Sequence, residues 1–379
     1  MARATEVRPR ARDIGLSIGD FPPGPANAIT DVEGVSVGHA TVWFGDGALK
    51  PGYGPARTGV TVILPHPGNL FAERVPAAVF VFNGFGKCMG LEQVAELGVL
   101  ETPIALTSTL CVGRVADALV THALRENPGI GIDQATANPF VGECSDAYLN
   151  DMRGRHVGEQ EVLAAIAAAN SGMVEEGSVG AGTGMSAFGF KGGIGTASRL
   201  LPEHLGSWRV GVLVLANFGR RNQLIIDGIP VGRMLSDDQS KEAERGSIMM
   251  IVATDAPMLD RHLGRIARRA TLGMARTGSM GGHGSGDVVV AFSTAESVRV
   301  PYASPNQTVM VEILAEQGPD GSSESVDALF GATVEATEEA ILNALFRATS
   351  VVGRDGHARD ALPIETVVDL LRTHGRIRA

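Results

Sequence analysis

The chain has 379 residues, 44 % of them apolar and 20 % charged, with a net charge of −10. That balance describes a globular protein with ample core and excludes the disordered and fibrous classes. An acidic chain with no basic stripe in view also speaks against nucleic acid as a partner. Cys88, Cys111 and Cys144 are odd in number and widely spaced, so neither a disulfide framework nor a zinc site is expected. No apolar run reaches membrane-spanning length, and the N-terminal stretch has no secretory h-region. These absences point to a cytoplasmic enzyme without metal, cofactor or membrane contact.

In chain order, Asn27 to His39 suggests a short strand with a tight turn. Thr58 to Pro65 and Ala77 to Gly84 are β-branched apolar runs that read as buried strands. Leu91 to Leu100 has helical spacing, and GRVADALVTHALRENPG is an amphipathic helix stopped by Asn-Pro-Gly. Glu159 to Gly172 is a helix with a glycine stop, Trp208 to Gly219 another buried strand. SIMMIVATD is a strand followed by a long helix, PMLDRHLGRIARRATLGMART. A further strand, DVVVAFSTA, precedes the helices VDALFGATVEATEEAILNALFRATSVVG and PIETVVDLLRTHG. Strands and helices come in blocks rather than strict alternation, which predicts layered α+β packing. With no Pro- or Ser-rich linker, residues 1–379 are expected to form one compact catalytic domain.

The sharpest discontinuity is at Gly246–Ser247. Ser236 to Arg245 (SDDQSKEAER) is almost wholly polar, and Ser247 opens the apolar run SIMMIVA. Such a switch commonly marks only a loop entering a buried strand. The residue at the switch is a nucleophile type, however. Scission of the Gly246–Ser247 bond would give Ser247 a hydroxyl and a free α-amine, nucleophile and base on one residue.

Other candidates are weaker alone. Ser285 and Asp287 stand at i and i+2 at the start of a strand, where alternation places them on one side; the pattern also fits a simple turn. Asn217 ends a buried strand and is either a turn residue or an oxyanion donor. Glu143, near Tyr148 in NPFVGECSDAYLND, is a candidate partner for a substrate ammonium or a surface loop acid. His283 lies in a glycine loop, and Cys144 has no evident histidine partner. In Gly177 to Arg199, Gly182, Gly184 and Ala187 match a dinucleotide fingerprint with Glu203 some twenty residues on. No strand precedes the match and glycines fill the required helix, so a backbone-lined wall or turn is expected instead.

Taken together, NAITDVEGVSVGH, RTGVTVILP, NPFVGECSDAYLND, the glycine-rich stretch, VLVLANFG, ERGSIMMIVATDAP, GSGDVVVAFSTA and EEAILNALFRATSVVGRDGH resemble the self-processing L-aminopeptidase/D-amidase-esterases and β-peptidyl aminopeptidases. The resemblance runs over nearly the whole chain. It implies a four-layer αββα sandwich of the N-terminal-nucleophile type, with autocleavage into a 1–246 α-chain and a 247–379 β-chain that stay together as a homotetramer of processed pairs. It implies Ser247 as nucleophile, Ser285 and Asp287 as its assistants and Asn217 in the oxyanion hole. Glu143 would contact the substrate amine, with Tyr148 at the same pocket. Some β-peptide-cleaving members carry Glu where this chain has Asp287. The implied activity is release of N-terminal residues from short peptides, amino-acid amides or esters. Alternatives are an acyltransferase resembling ornithine acetyltransferase, a β-peptide or oligoamide hydrolase, and a non-enzymatic scaffold that has lost these groups; the acyltransferase and the oligoamide hydrolase favour threonine as nucleophile.

Overall fold

The computed structural model describes residues 7–235, 246–304, 306–318 and 320–377. The polar run 236–245, expected to form the processing loop, lies outside them. Three strands come first: β1 (Ser36–Phe44), β2 (Ala56–Leu64) and β3 (Glu73–Gly84). Helix α1 (Leu91–Leu97) and strand β4 (Val99–Leu100) precede β5 (Ile104–Ser108), α2 (Val112–Glu126), β6 (Phe140–Cys144) and α3 (Glu159–Ala168). A small hairpin of β7 (Ser186–Ala187) and β8 (Phe190–Lys191) leads into β9 (Gly193–Leu200), β10 (Arg209–Asn217) and the one-turn α4 (Val231–Met234). The chain resumes with β11 (Ser247–Thr254), α5 (Asp260–Arg276), β12 (Gly286–Ser293), β13 (Val300–Pro301) and α6 (Glu324–Arg347). It finishes with the ribbon β14 (Val351–Val352) and β15 (Ala358–Arg359), then α7 (Ile364–Thr373). Among the described residues no helix is long and apolar enough to cross a membrane.

Two sheets stack between two helical layers. The small sheet runs β1-β2-β5-β6 and the large one β13-β3-β12-β11-β10-β9, with β4 also on β3. Three apolar interfaces follow from strand alternation. Val60, Val62, Ala105 and Val141 of the small sheet pack on Val115, Leu119 and Val162 of α2 and α3. The opposite face, with Ile63, Leu106 and Phe140, meets Leu213, Leu215, Met249, Ile251, Val288 and Val290 of the large sheet. The far side of the large sheet, with Val212, Ile248, Met250 and Val289, is covered by Leu263 and Ile266 of α5 and by Leu342 and Phe346 of α6. The layered α+β sandwich expected from the sequence is the observed architecture.

The glycine-rich stretch corrects the expectation of a wall or turn. Its first part is a 3-10 segment, Gly180–Gly184, but its second part is the fully hydrogen-bonded strand β9 beside β10. Glycine is needed there because α6 crosses at backbone distance: a Cβ on Gly195 would lie 2.0 Å from the Ala340 carbonyl oxygen.

Topology fixes the place of the site. β11 and β12 are parallel, joined by the α5 crossover that parallel pairing requires. Their N-terminal ends, Ser247 and Gly286, are therefore direct neighbours. β10 and β3 flank them antiparallel, so the C-terminal ends Asn217 and Asn83 arrive at the same edge.

Candidate active site

Ser247 is buried, 7 % exposed, and pairs in register with Asn217 on one side and Gly286 on the other. Alternation sends its side chain to the face of Met249 and Ile251, toward the small sheet, and Asn217 follows Leu213 and Leu215 to the same face. The Asn217 amide is oriented from both ends. Its Oδ1 accepts the Ser186 N–H at 2.8 Å, and its Nδ2 donates to the Ser145 carbonyl at 3.0 Å. An amide nitrogen carries two donor hydrogens, so one remains for a developing oxyanion.

The carbonyl of Gly246 accepts the Gly286 N–H at 3.2 Å. A Cβ on Gly246 would stand 2.2 Å from the Asn217 carbonyl oxygen and 2.7 Å from Phe218 Cα. Only glycine fits at that position without moving main chain. One strand over, Ser285 Oγ donates to Asp287 Oδ1 at 2.6 Å, and neither residue has any exposure. This is a short hydroxyl-to-carboxyl hydrogen bond enclosed away from water. The loop before Ser285 is held by Asn83, whose Nδ2 donates at 2.5 Å to the Gly282 carbonyl, which also accepts the Ser285 N–H. A bulge in the β3–β12 pairing beside Asp287 brings Asn83 to that loop.

Glu143 reaches the site from the small sheet. It is 2 % exposed on β6, not in a surface loop, and β6 crosses β10 closely enough for Cys144 Sγ to contact the Leu215 carbonyl at 3.5 Å. Its Oε1 accepts the Lys87 N–H at 2.8 Å and its Oε2 the Thr109 hydroxyl. A Cβ on Gly86 would lie 3.7 Å from both Glu143 Oε1 and Gly286 Cα. Little more than the Gly86 main chain thus separates this carboxylate from the register partner of Ser247.

Ser247, Asn217, Ser285, Asp287, Gly246 and Glu143 are gathered around one end of the large sheet. Tyr148 sits apart in contact terms: its ring stacks on His357 at 4.6 Å, lies under the Arg359 guanidinium at 3.7 Å, and is exposed. His283 is exposed on its loop. A thiol nucleophile is unsuited to the site, because burial pushes Cys88 up to about 12 and Cys144 well above the ordinary thiol range. No helix follows Gly182 and Gly184, so the dinucleotide fingerprint lacks the N-terminus it needs. Sequence reasoning missed Asn83, Thr109, and the main-chain groups of Lys87, Ser145, Ser186 and Gly286. Only Asn83, at the end of an apolar strand like Asn217, carried a usable signal.

The profile of peptidase family S58 matches residues 27–359. The chain belongs to peptidase family S58. It is 40 % identical to the beta-peptidyl aminopeptidase BapA of Sphingosinicella microcystinivorans, over 99 % of this chain and 95 % of that protein. It also superposes on the PH0078 protein of Pyrococcus horikoshii with a TM-score of 0.90, at 49 % identity, over 97 % of this chain and 100 % of that one. The L-aminopeptidase D-Ala-esterase/amidase of Ochrobactrum anthropi, described as a prototype for the serine aminopeptidases and a variant of the Ntn hydrolase fold, gives 0.88 at 37 % identity, over 98 % of this chain and 100 % of that one. This S58 enzyme is accordingly a serine aminopeptidase or amidase with the N-terminal-nucleophile hydrolase fold.

Proposed function

We propose that Ser247 first cleaves its own chain and then serves as the N-terminal nucleophile that releases the first residue from short peptides, amino-acid amides or esters. The observation that carries the reading is the register row Asn217–Ser247–Gly286, with the bonded Ser285–Asp287 pair beside it. In the precursor, Ser247 Oγ attacks the Gly246 carbonyl, whose oxygen the Gly286 N–H already polarises. The Gly246–Ser247 C–N bond breaks, the hydroxyl proton passes to the nitrogen, and water hydrolyses the resulting ester. Chains of 246 and 133 residues (379 − 246) result.

The freed α-amine has an ordinary pKa of ~7.7–8.0, so a useful fraction is neutral near pH 7 and takes the hydroxyl proton as Ser247 attacks substrate. Asn217 Nδ2 donates to the oxyanion, and Ser285 and Asp287 orient the amine and hydroxyl. Glu143 pairs with the substrate ammonium and so confines cleavage to the first residue, with Tyr148 on the outer wall. Serine at 247 disfavours the acyltransferase and oligoamide-hydrolase readings, which call for threonine. Cytoplasmic residence and a homotetramer of cleaved pairs complete the proposal; light scattering checks the assembly. Ser247→Ala should leave a single 39.5 kDa chain with no activity on L-, D- or β-aminoacyl p-nitroanilides. A variant that still cuts, or still hydrolyses them, overturns the reading.

A further inference from the structure

Asp146 lies outside every role assigned so far, yet it is among the most enclosed carboxyls in the molecule, with no exposure. We propose that Asp146 is a positioning residue that, through Ser108, locks the 143–146 segment so that the ammonium site and the oxyanion amide act as one unit. The inference rests on the function proposed above.

The geometry begins with the parallel pairing of β5 and β6, in which Thr107 faces Glu143 and Ser108 faces Cys144. Where that ladder ends, the two chains exchange side-chain bonds. Ser108 Oγ donates to Asp146 Oδ1 at 2.8 Å, and the next residue, Thr109, donates its hydroxyl to Glu143. Between these two ties, the Ser145 carbonyl accepts the Asn217 amide at 3.0 Å. Four consecutive residues therefore carry the ammonium partner, the anchor of the oxyanion donor and the pin that holds both.

The pin has little freedom. The Asp146 carbonyl accepts the N–H groups of Leu149 and Asn150, which begin the following turn. A Cβ on Gly184 would stand 2.7 Å from Asp146 Cβ and 2.2 Å from the Arg57 carbonyl oxygen, so the neighbouring loop is packed directly against it. A carboxyl buried this fully costs desolvation, and burial raises its pKa. The return is a segment that cannot drift when Glu143 takes up a ligand. Asp146 touches no substrate in this scheme; it acts through Glu143 and Ser145.

The test uses the processed enzyme and two substrates, alanine p-nitroanilide with a free amine and p-nitrophenyl propionate without one. Asp146→Asn and Ser108→Ala should each lower the ratio of kcat/KM between the first and the second by about tenfold, the worth of one hydrogen bond in a charged network. The double variant should fall no further than the worse single one, because the two residues form a single tie. A purely structural role, or one exerted through the Asn217 amide alone, would lower both substrates equally and leave the ratio within about twofold of wild type, which overturns the inference. If Asp146→Asn does not fold or process, Ser108→Ala carries the same test alone. A wild-type enzyme without preference for the free amine, or an active Ser247→Ala, would instead strike the function proposed above.

Discussion

The two halves of the site are built by different means. The half around Ser247, the proposed nucleophile, is set by the ladder of the large sheet: Asn217, Ser247 and Gly286 are neighbours because β11 pairs along its whole length with β10 and β12. The proposed amine half is set by side-chain bonds around the end of a five-residue strand, from Thr109 and Ser108 to Glu143 and Asp146. A ladder tolerates loss of one side chain, since its other rungs hold the register. A few side-chain ties do not. Substitutions in the first half should therefore subtract chemistry and leave the framework, and substitutions in the second should blur recognition.

The largest expected break of that contrast is Asn217→Ala. It removes the proposed oxyanion donor and should lower kcat by about 10²–10³ with little change in KM; an equal rise in KM would mean that the ladder end had moved too. Glu143→Gln keeps the acceptor shape and loses the charge, so kcat/KM on free-amine substrates should fall about tenfold to hundredfold, chiefly through KM. Gly246→Ala places a Cβ where the Asn217 carbonyl oxygen stands 2.2 Å away. Self-cleavage, followed on denaturing gels, should slow by at least about tenfold, and a cleavage rate equal to wild type would show that the junction is not held as described. Asn83→Ala frees the loop before Ser285 and should cost roughly fivefold in kcat, about 1 kcal/mol.

A smaller effect serves as a control away from both halves. Glu176, its side chain enclosed between Arg10 and Arg347, has its pKa raised to about 7, chiefly by burial. The folded chain then binds this proton more tightly than the unfolded chain, whose carboxyl titrates near 4.5. Stability should fall as pH rises from about 4.5 to about 7 and level off above. Glu176→Gln should flatten that part of a thermal-midpoint profile and leave substrate preference unchanged; a slope that survives it belongs to another group.

The same contrast explains what could be read from the sequence. β2, β3, β10, β11 and β12 announce themselves as apolar runs, and the i, i+2 spacing of Ser285 and Asp287 gives their side-by-side arrangement directly. VGEC is too short and too polar to announce a strand, so Glu143 reads as a loop acid until β6 is seen crossing β10. GIGTASRL hides a strand for another reason: Gly195 answers to α6, a partner more than a hundred residues away, and Gly193 to the main chain of Gly177. The groups at Lys87, Ser145, Ser186 and Gly286 act through main-chain atoms, which no side-chain pattern can mark.

The strand order β3-β12-β11-β10 has one further consequence. β12 and β11 follow Ser247 in the chain, and β3 and β10 precede it, so the later pair is wedged between the earlier two. A cut at Gly246–Ser247 would yield polypeptides sharing one continuous sheet, joined by the ladders β10–β11 and β3–β12 with no single boundary along which they could part. Their separation would be unfolding rather than dissociation, and dilution under native conditions should never resolve them.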